Sequence, residues 1–207
     1  SVATHHVESS AGRFEAPVVI VATEAAGAAE LLPGVPIETE GNSVTTWYHA
    51  VPVDSLQEPL ARGRSMLTVP ATTQGPVINT VPLTYAVPSY SPADSILVST
   101  SALGVHAPPD GVAADTEHLI REQLATLYGT DTRAWELLAA YPIHYALPSM
   151  RPPRRVSHAI EQGDVIIAGD HTTTASIQGA MVSGRRAGDL ALDRLGIKRP
   201  LERRVVA

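Results

Sequence analysis

Two short apolar runs near opposite ends of the chain set the strongest limit on its fold. Val18-Val-Ile-Val-Ala22 follows Pro17, and Val165-Ile-Ile-Ala168 precedes Gly169. Continuous runs of β-branched residues suit strands covered on both faces, as in a parallel α/β sheet. Helix-forming residues from Glu24 to Leu32, stopped by Pro33-Gly34, follow the first run. A helix from about Ser176 to Leu195, ended by Gly196, follows the second. Its small and apolar residues Ile177, Ala180, Met181, Gly184, Ala187, Ala191 and Leu195 recur at helical spacing and predict the face laid on the sheet.

Between these ends the language changes. Prolines recur from Ile37 to about Ala107, and β-formers dominate in Val44–Tyr48, Val77–Val81 and Ile96–Thr100. This predicts a mostly antiparallel sheet joined by loops. One helix interrupts it, with Asp115 as N-cap, an apolar face of Leu119, Ile120, Leu124 and Leu127, and Gly129 at its C-terminal end. Trp135 to Leu147 reads as strand, broken at Pro142. At the start, Ser1 to Ser9 reads as one strand ended by Ser10-Ala-Gly12. The expected architecture is α/β plus α+β, an incomplete α/β layer with a β-rich domain inserted. The boundaries are 1–36, 37–150 and 151–207.

Composition excludes several functions. The chain of 207 residues is 44% hydrophobic and 17% charged, with a net charge of -6, so no general field draws it to nucleic acid. The basic run Arg151-Pro-Pro-Arg154-Arg155 reads as a solvated loop. No cysteine is present, which removes disulfides and thiolate chemistry. No apolar run approaches the ~18 residues that span a bilayer, and the start does not read as a signal peptide. A cytoplasmic location is the default expectation. The histidines are scattered, His5-His6 being the one adjacent pair, and no metal site is expected. Ser183 falls mid-helix and no Gly-x-Ser-x-Gly elbow occurs, so a hydrolase is not expected.

The stretch Val165 to Ala187 carries the chemistry. Gly169 ends the strand where a backbone or ligand can come close. Asp170 then stands at the carboxyl end of the strand, the usual ligand side of an α/β sheet. Its carboxylate can accept hydrogen bonds from sugar-like hydroxyls, or it can merely cap the following helix. The helix N-terminus favours an electron-rich or anionic ligand atom. Gly179-Ala180 leaves the first turn without bulk, so that a flat ring can rest on it.

These residues resemble the C-terminal FAD-binding motif of the flavin-containing amine oxidase superfamily. That group includes phytoene-desaturase-like and protoporphyrinogen-oxidase-like enzymes and renalase. Val18–Thr23, Leu31–Gly34, Val87–Pro92, Ile96–Ser99, Trp135 and Tyr145–Pro148 are similar to further family segments in the same order. The resemblance implies an FAD/NAD(P)-binding Rossmann-like layer, here partial, with an inserted substrate domain. It implies that Gly169, Asp170 and His171 meet the chain of FAD, and that Gln178, Gly179 and Ala180 lie beside the flavin ring. A hydride would pass from a small or apolar organic substrate to flavin. His49, His144 and Tyr145 fall in segments that could line a substrate cavity, yet the same residues also suit structural roles. The catalytic residues are not identifiable.

Two departures qualify the resemblance. The Gly-x-Gly-x-x-Gly that opens the family, and its acidic ribose ligand, do not occur here. The expectation is therefore a cloned or proteolysed fragment, with a separate polypeptide as the alternative. The partner would be the missing N-terminal FAD-binding half, and this chain alone would not retain FAD. The amine-oxidising branch also uses a lysine near the flavin, whereas the single lysine here is Lys198, beyond the last helix. A desaturase-like or other oxidase branch fits better. The rival from another class is a non-catalytic β-rich binding or interaction module that keeps the fold without the cofactor.

Overall fold

The computed structural model describes residues 2–3, 5–56, 65–72, 74–106, 114–152 and 159–198. The chain divides into two compact units, Ser1–Gly41 with Leu147–Ala207, and Asn42–Ala146. Arg154 and Arg155 of the basic run lie outside the described residues, while Arg151 pairs with Glu40 at 2.6 Å.

The first unit opens with strands β1 (Val2–Ala3), β2 (His6–Ser9) and β3 (Gly12–Glu15), which form a small antiparallel sheet. The expected single strand from Ser1 to Ser9 is thus two, because the chain reverses after Ala3 to pair Ala3 with His6. Next come β4 (Val19–Val21) and α1 (Ala25–Leu31). From the far end of the sequence come β9 (Ile160–Gln162), β10 (Val165–Ile167) and α3 (Ile177–Arg194). The sheet order is β4-β10-β9, with β10 parallel to β4 and antiparallel to β9.

Alternation decides what each face buries. Val19, Val21, Val165 and Ile167 pack with Ala28 and Leu32, around α1. Ile166 and Ala168 point the other way and pack with Ala187, Leu190 and Ala191 of α3. β10 is therefore buried along its whole length. β4 is not: Ile20, paired with Ile166, stays 42% exposed. The expectation that the first apolar run is covered on both faces fails in this chain, because β4 is an edge strand and α3 lies over β10.

The second unit is built on β5 (Gly41–Pro52), β6 (Val77–Pro82), β7 (Ser95–Leu103) and β8 (Glu136–Pro148), in the order β6-β7-β5-β8. β7 runs antiparallel to both β5 and β6. β8 continues through Pro142, which the sequence predicts to break it. An edge strand can hold a proline whose missing N–H faces away from the ladder. α2 (Ala114–Tyr128) supplies Ile120, Leu124 and Tyr128 to a core with Trp47, Val51, Leu56, Ile96, Val98 and Trp135.

Two details of α2 differ from expectation. The helix begins at Ala114, so Asp115 sits in its first turn instead of capping it. Leu119 is 51% exposed, whereas Tyr128 is buried and bonds Thr80 Oγ1 at 3.0 Å. Burial raises the Tyr128 hydroxyl pKa to about 12, opposed by the Thr80 hydrogen bond. Gly129 takes φ 62° at the helix end, as expected of a left-handed cap.

Leu124 and Leu119 separate the buried face from the apolar residue outside it. Leu124→Ala should cost about 2–5 kcal/mol, while Leu119→Ala should stay within about 0.5 kcal/mol of wild type. Urea unfolding of both variants checks the orientation of the helix.

Candidate functional site

The site in the first unit grows from the end of β10. The chain leaves Ile167 through Ala168, whose N–H bonds Val21 O at 2.9 Å, and reaches Gly169. A Cβ at Gly169 would stand 2.5 Å from two atoms of the His171 ring and 3.5 Å from Thr23 O, so the position requires glycine for space. A single helical turn at Asp170–Thr172 follows, then a bent stretch to Ser176.

Ser183 holds this loop in place. Its side chain is fully buried in the third position of a closed set of hydrogen bonds. The Gly169 N–H donates to Ser183 Oγ at 2.9 Å. Thr172 Oγ1 donates to Gly169 O at 2.8 Å and lies 2.8 Å from Ser183 Oγ. With the Thr172 hydrogen already committed, the Ser183 hydroxyl is the donor between the two side chains. Strand end, turn and helix are locked together by one residue of α3.

The helix start is satisfied separately. Ser176 is the N-cap, and its Oγ accepts from Gly179 N at 3.0 Å. Asp170 is therefore not the cap. Its carboxylate is half-buried and makes no hydrogen bond or ion pair among the described residues. Gly179 is buried because the Thr174 carbonyl lies against it, and a Cβ there would come within 1.9 Å of that oxygen.

These contacts turn α3 away from its predicted face. Gly179, Ser183 and Ala187 are buried, while Ile177 is 78% and Met181 70% exposed. The apolar stripe expected on the sheet thus divides: Ala187 and Ala191 pack inward, and Ile177, Ala180, Met181, Gly184 and Leu195 face out. The Ser183 hydrogen bonds and the Thr174 contact at Gly179 outweigh hydropathy in setting the rotation.

Of the predicted site residues, Gly169, Asp170, Gln178 and Ala180 present accessible surface. His171 is buried, with its ring packed on Gly169, and fills space behind the strand end. Ser176, Thr172 and Ser183 position the site; in the sequence Ser183 reads only as a candidate hydrolase nucleophile and Ser176 only as the helix start. A hydroxyl at mid-helix that recurs to the loop before it was the available signal.

The substrate candidates do not converge. His49 is fully buried beneath α2, 3.5 Å from Glu117 and 6.0 Å from the Trp135 ring centre. The odd-numbered residues of β5 around it face the core, which accounts for its position. His144 is exposed and Tyr145 half-buried on β8. Two cavities of about 520 Å³ in this unit lie elsewhere. One is bordered by Pro70, Leu119 and Leu127, the other by Val69, Leu103 and His106.

A buried strand ending in glycine and a free carboxylate, followed by a helix N-terminus, defines the ligand end of an α/β unit. The chain belongs to the flavin containing amine oxidoreductase family, whose model matches residues 4–192. Solved structures share the fold. An oxidoreductase from Methanosarcina mazei matches with a TM-score of 0.59 and 15% identity, over 89% of this chain and 46% of that one. The FAD dependent oxidoreductase PA4991 from Pseudomonas aeruginosa matches with a TM-score of 0.54 and 19% identity, over 90% and 47%. A protein from Pyrococcus furiosus gives 0.55 and 12%, over 96% and 46%. The chain spans less than half the length of each of these structures. A search of curated proteins found no match. Among the described residues, no helix is long and apolar enough to cross a membrane.

Ser183→Ala would strand the Gly169 N–H and remove one partner of Thr172. It should lower unfolding stability by about 1–3 kcal/mol. Met181→Ala, on the exposed face, should change it by less than about 0.5 kcal/mol. Chemical denaturation of the two variants tests whether Ser183 sets the helix face.

Proposed function

We propose that this chain supplies the flavin-ring side of an FAD site and the substrate domain of an oxidoreductase that takes a hydride from a small or apolar organic substrate. The observation that carries this reading is the Asp170 carboxylate, half-buried at the carboxyl end of β10 and without a partner among the described residues, while Ser176 caps the helix. A carboxylate freed from capping suits the hydroxyls of the FAD chain. Family membership points to the same cofactor.

The surroundings fit that group. The first N–H groups of α3 and the positive end of its dipole suit the electron-rich edge of a flavin ring. Exposed Ile177, Ala180 and Met181 offer apolar surface for a flat ring, and Gln178 adds polar atoms beside it. When bound, FAD would supply the redox chemistry by accepting the hydride. The chain's own part is to orient the cofactor through Asp170 and the helix start, and to exclude water with the apolar turn. The second unit is assigned to the substrate, with residues 42–146 as its extent in place of 37–150. The single lysine, Lys198, follows α3, which favours a desaturase-like or other oxidase branch over amine oxidation.

The partner in this reading is an FAD-binding segment that contributes a glycine-rich pyrophosphate loop and completes a Rossmann-like layer. The open edge of β4 and the exposed Ile20 suit the addition of a further strand there.

Two outcomes test the proposal. The 207-residue chain alone should not retain FAD with micromolar affinity, since its contacts reach mainly the flavin end. In a protein that joins it to an FAD-binding segment, Asp170→Ala should weaken FAD binding by about ten- to a hundredfold, the loss of a charged hydrogen-bond partner. The melting temperature of the flavin-free form should stay near wild type, because Asp170 caps nothing. Flavin titration of the stripped protein, with melts alongside, measures both. A joined protein that binds no flavin would leave the non-catalytic module as the better reading.

A further inference from the structure

The second unit contains a group of ionisable side chains that the flavin reading does not use. His49 lies mid-strand on β5 and is fully buried. Its Nε2 is 3.5 Å from Glu117 Oε1, at the limit of hydrogen-bond reach, and neither ring nitrogen makes a closer polar contact. Glu117 is bound by Arg121 Nε one helical turn along α2. Arg121 Nη1 reaches past the helix to donate to Thr132 O at 2.8 Å and Trp135 O at 2.6 Å. Thr132 Oγ1 returns a hydrogen bond to Arg121 O at 3.2 Å. One cluster therefore joins a central strand, the helix that covers it and the segment leading into β8.

We propose that His49, Glu117 and Arg121 form an acid-sensitive latch that holds α2 on the sheet of the second unit. The latch closes with His49 neutral. A proton on the ring would place a cation in a dry core beside the Arg121 guanidinium. The Glu117 carboxylate already serves Arg121 and stands too far off to compensate fully. Among the described residues, β7 sets Val98 opposite His49, and the Trp135 indole lies tilted 6.0 Å from the ring. Release of α2 would withdraw Ile120, Leu124 and Tyr128 from the core and free the Gln123 side chain, which now accepts the Val77 N–H at 2.8 Å.

Burial, then the charge of Arg121, pull the His49 pKa down from 6.5 to about 4, against the opposing effect of Glu117. The sign follows. Above pH 6.5 the ring is neutral whether α2 is closed or open, and the latch costs nothing. As the pH falls below 6.5, the open form takes up a proton that the closed form refuses until about pH 4. Stability of the closed form is lost across that window.

Hydrogen exchange of the α2 amides, corrected for intrinsic rates, tests this in the whole chain. Between about pH 7.5 and about pH 4.5, opening of α2 should increase roughly 70-fold in the wild type and stay nearly constant in His49→Leu. Equal pH dependence in the two proteins, or none in the wild type, overturns the latch. Should His49→Leu fail to fold, NMR titration of the His49 ring in the wild type decides. A transition near 4 that tracks α2 exchange supports the latch, and one near 6.5 overturns it.

Discussion

The first unit depends on a closed set of three hydrogen bonds. A strand that ends in a glycine leaves a backbone N–H and C=O that the sheet no longer satisfies. Ser183 and Thr172 take both of these groups with two hydroxyls, each used as donor and acceptor. The same bonds fix the rotation of α3, since Ser183 must lie beneath the helix to reach them. That rotation exposes Ile177 and Met181, and it leaves the capping of α3 to Ser176. Asp170 is left with an uncommitted carboxylate as a consequence of packing several residues away.

The two units solve the burial of polar groups differently. In the first, polar side chains cluster at the end of the sheet and serve the loop. In the second, they lie inside the core under α2. Thr80 joins Thr100 and Tyr128 through contacts of 3.0 Å, and Arg121 ties the helix to the following segment. Such interior hydroxyl pairs stabilise little on average, but each is costly to break on one side alone. They fix the helix over one place on the sheet, where apolar contacts would tolerate sliding. A single phenylalanine in 207 residues is consistent with this design, since two tryptophans and the aliphatic residues supply the bulk of the core.

Much of the architecture was legible because it follows from local rules. Runs of β-branched residues marked β4, β6, β7 and β10, and Gly129 and Gly196 marked helix ends with positive φ. The departure from α/β patterning at the middle of the chain coincides with the second compact unit. Errors arose where neighbours decide. Pro142 reads as a breaker until β8 is known to be an edge, and Leu119 reads as core until the face of Ile120, Leu124 and Tyr128 is seen to be the buried one. For His49 the sequence left cavity lining and a structural role both open, because alternation along β5 tells which residues share a face, not which face meets α2.

The sequence by itself determined most of the longer elements and the position of Gly169-Asp170 between a buried strand and a helix. These follow from periodicity, from the special conformations of glycine and proline, and from residue order. The tertiary structure alone decided whether Asp170 is a cap or a free carboxylate, and which face of α3 is buried. Both depend on Ser183 reaching Gly169 and on the Thr174 carbonyl closing over Gly179. Contacts of that kind join residues of different elements in three dimensions, and no spacing along one helix encodes which of its faces they will select.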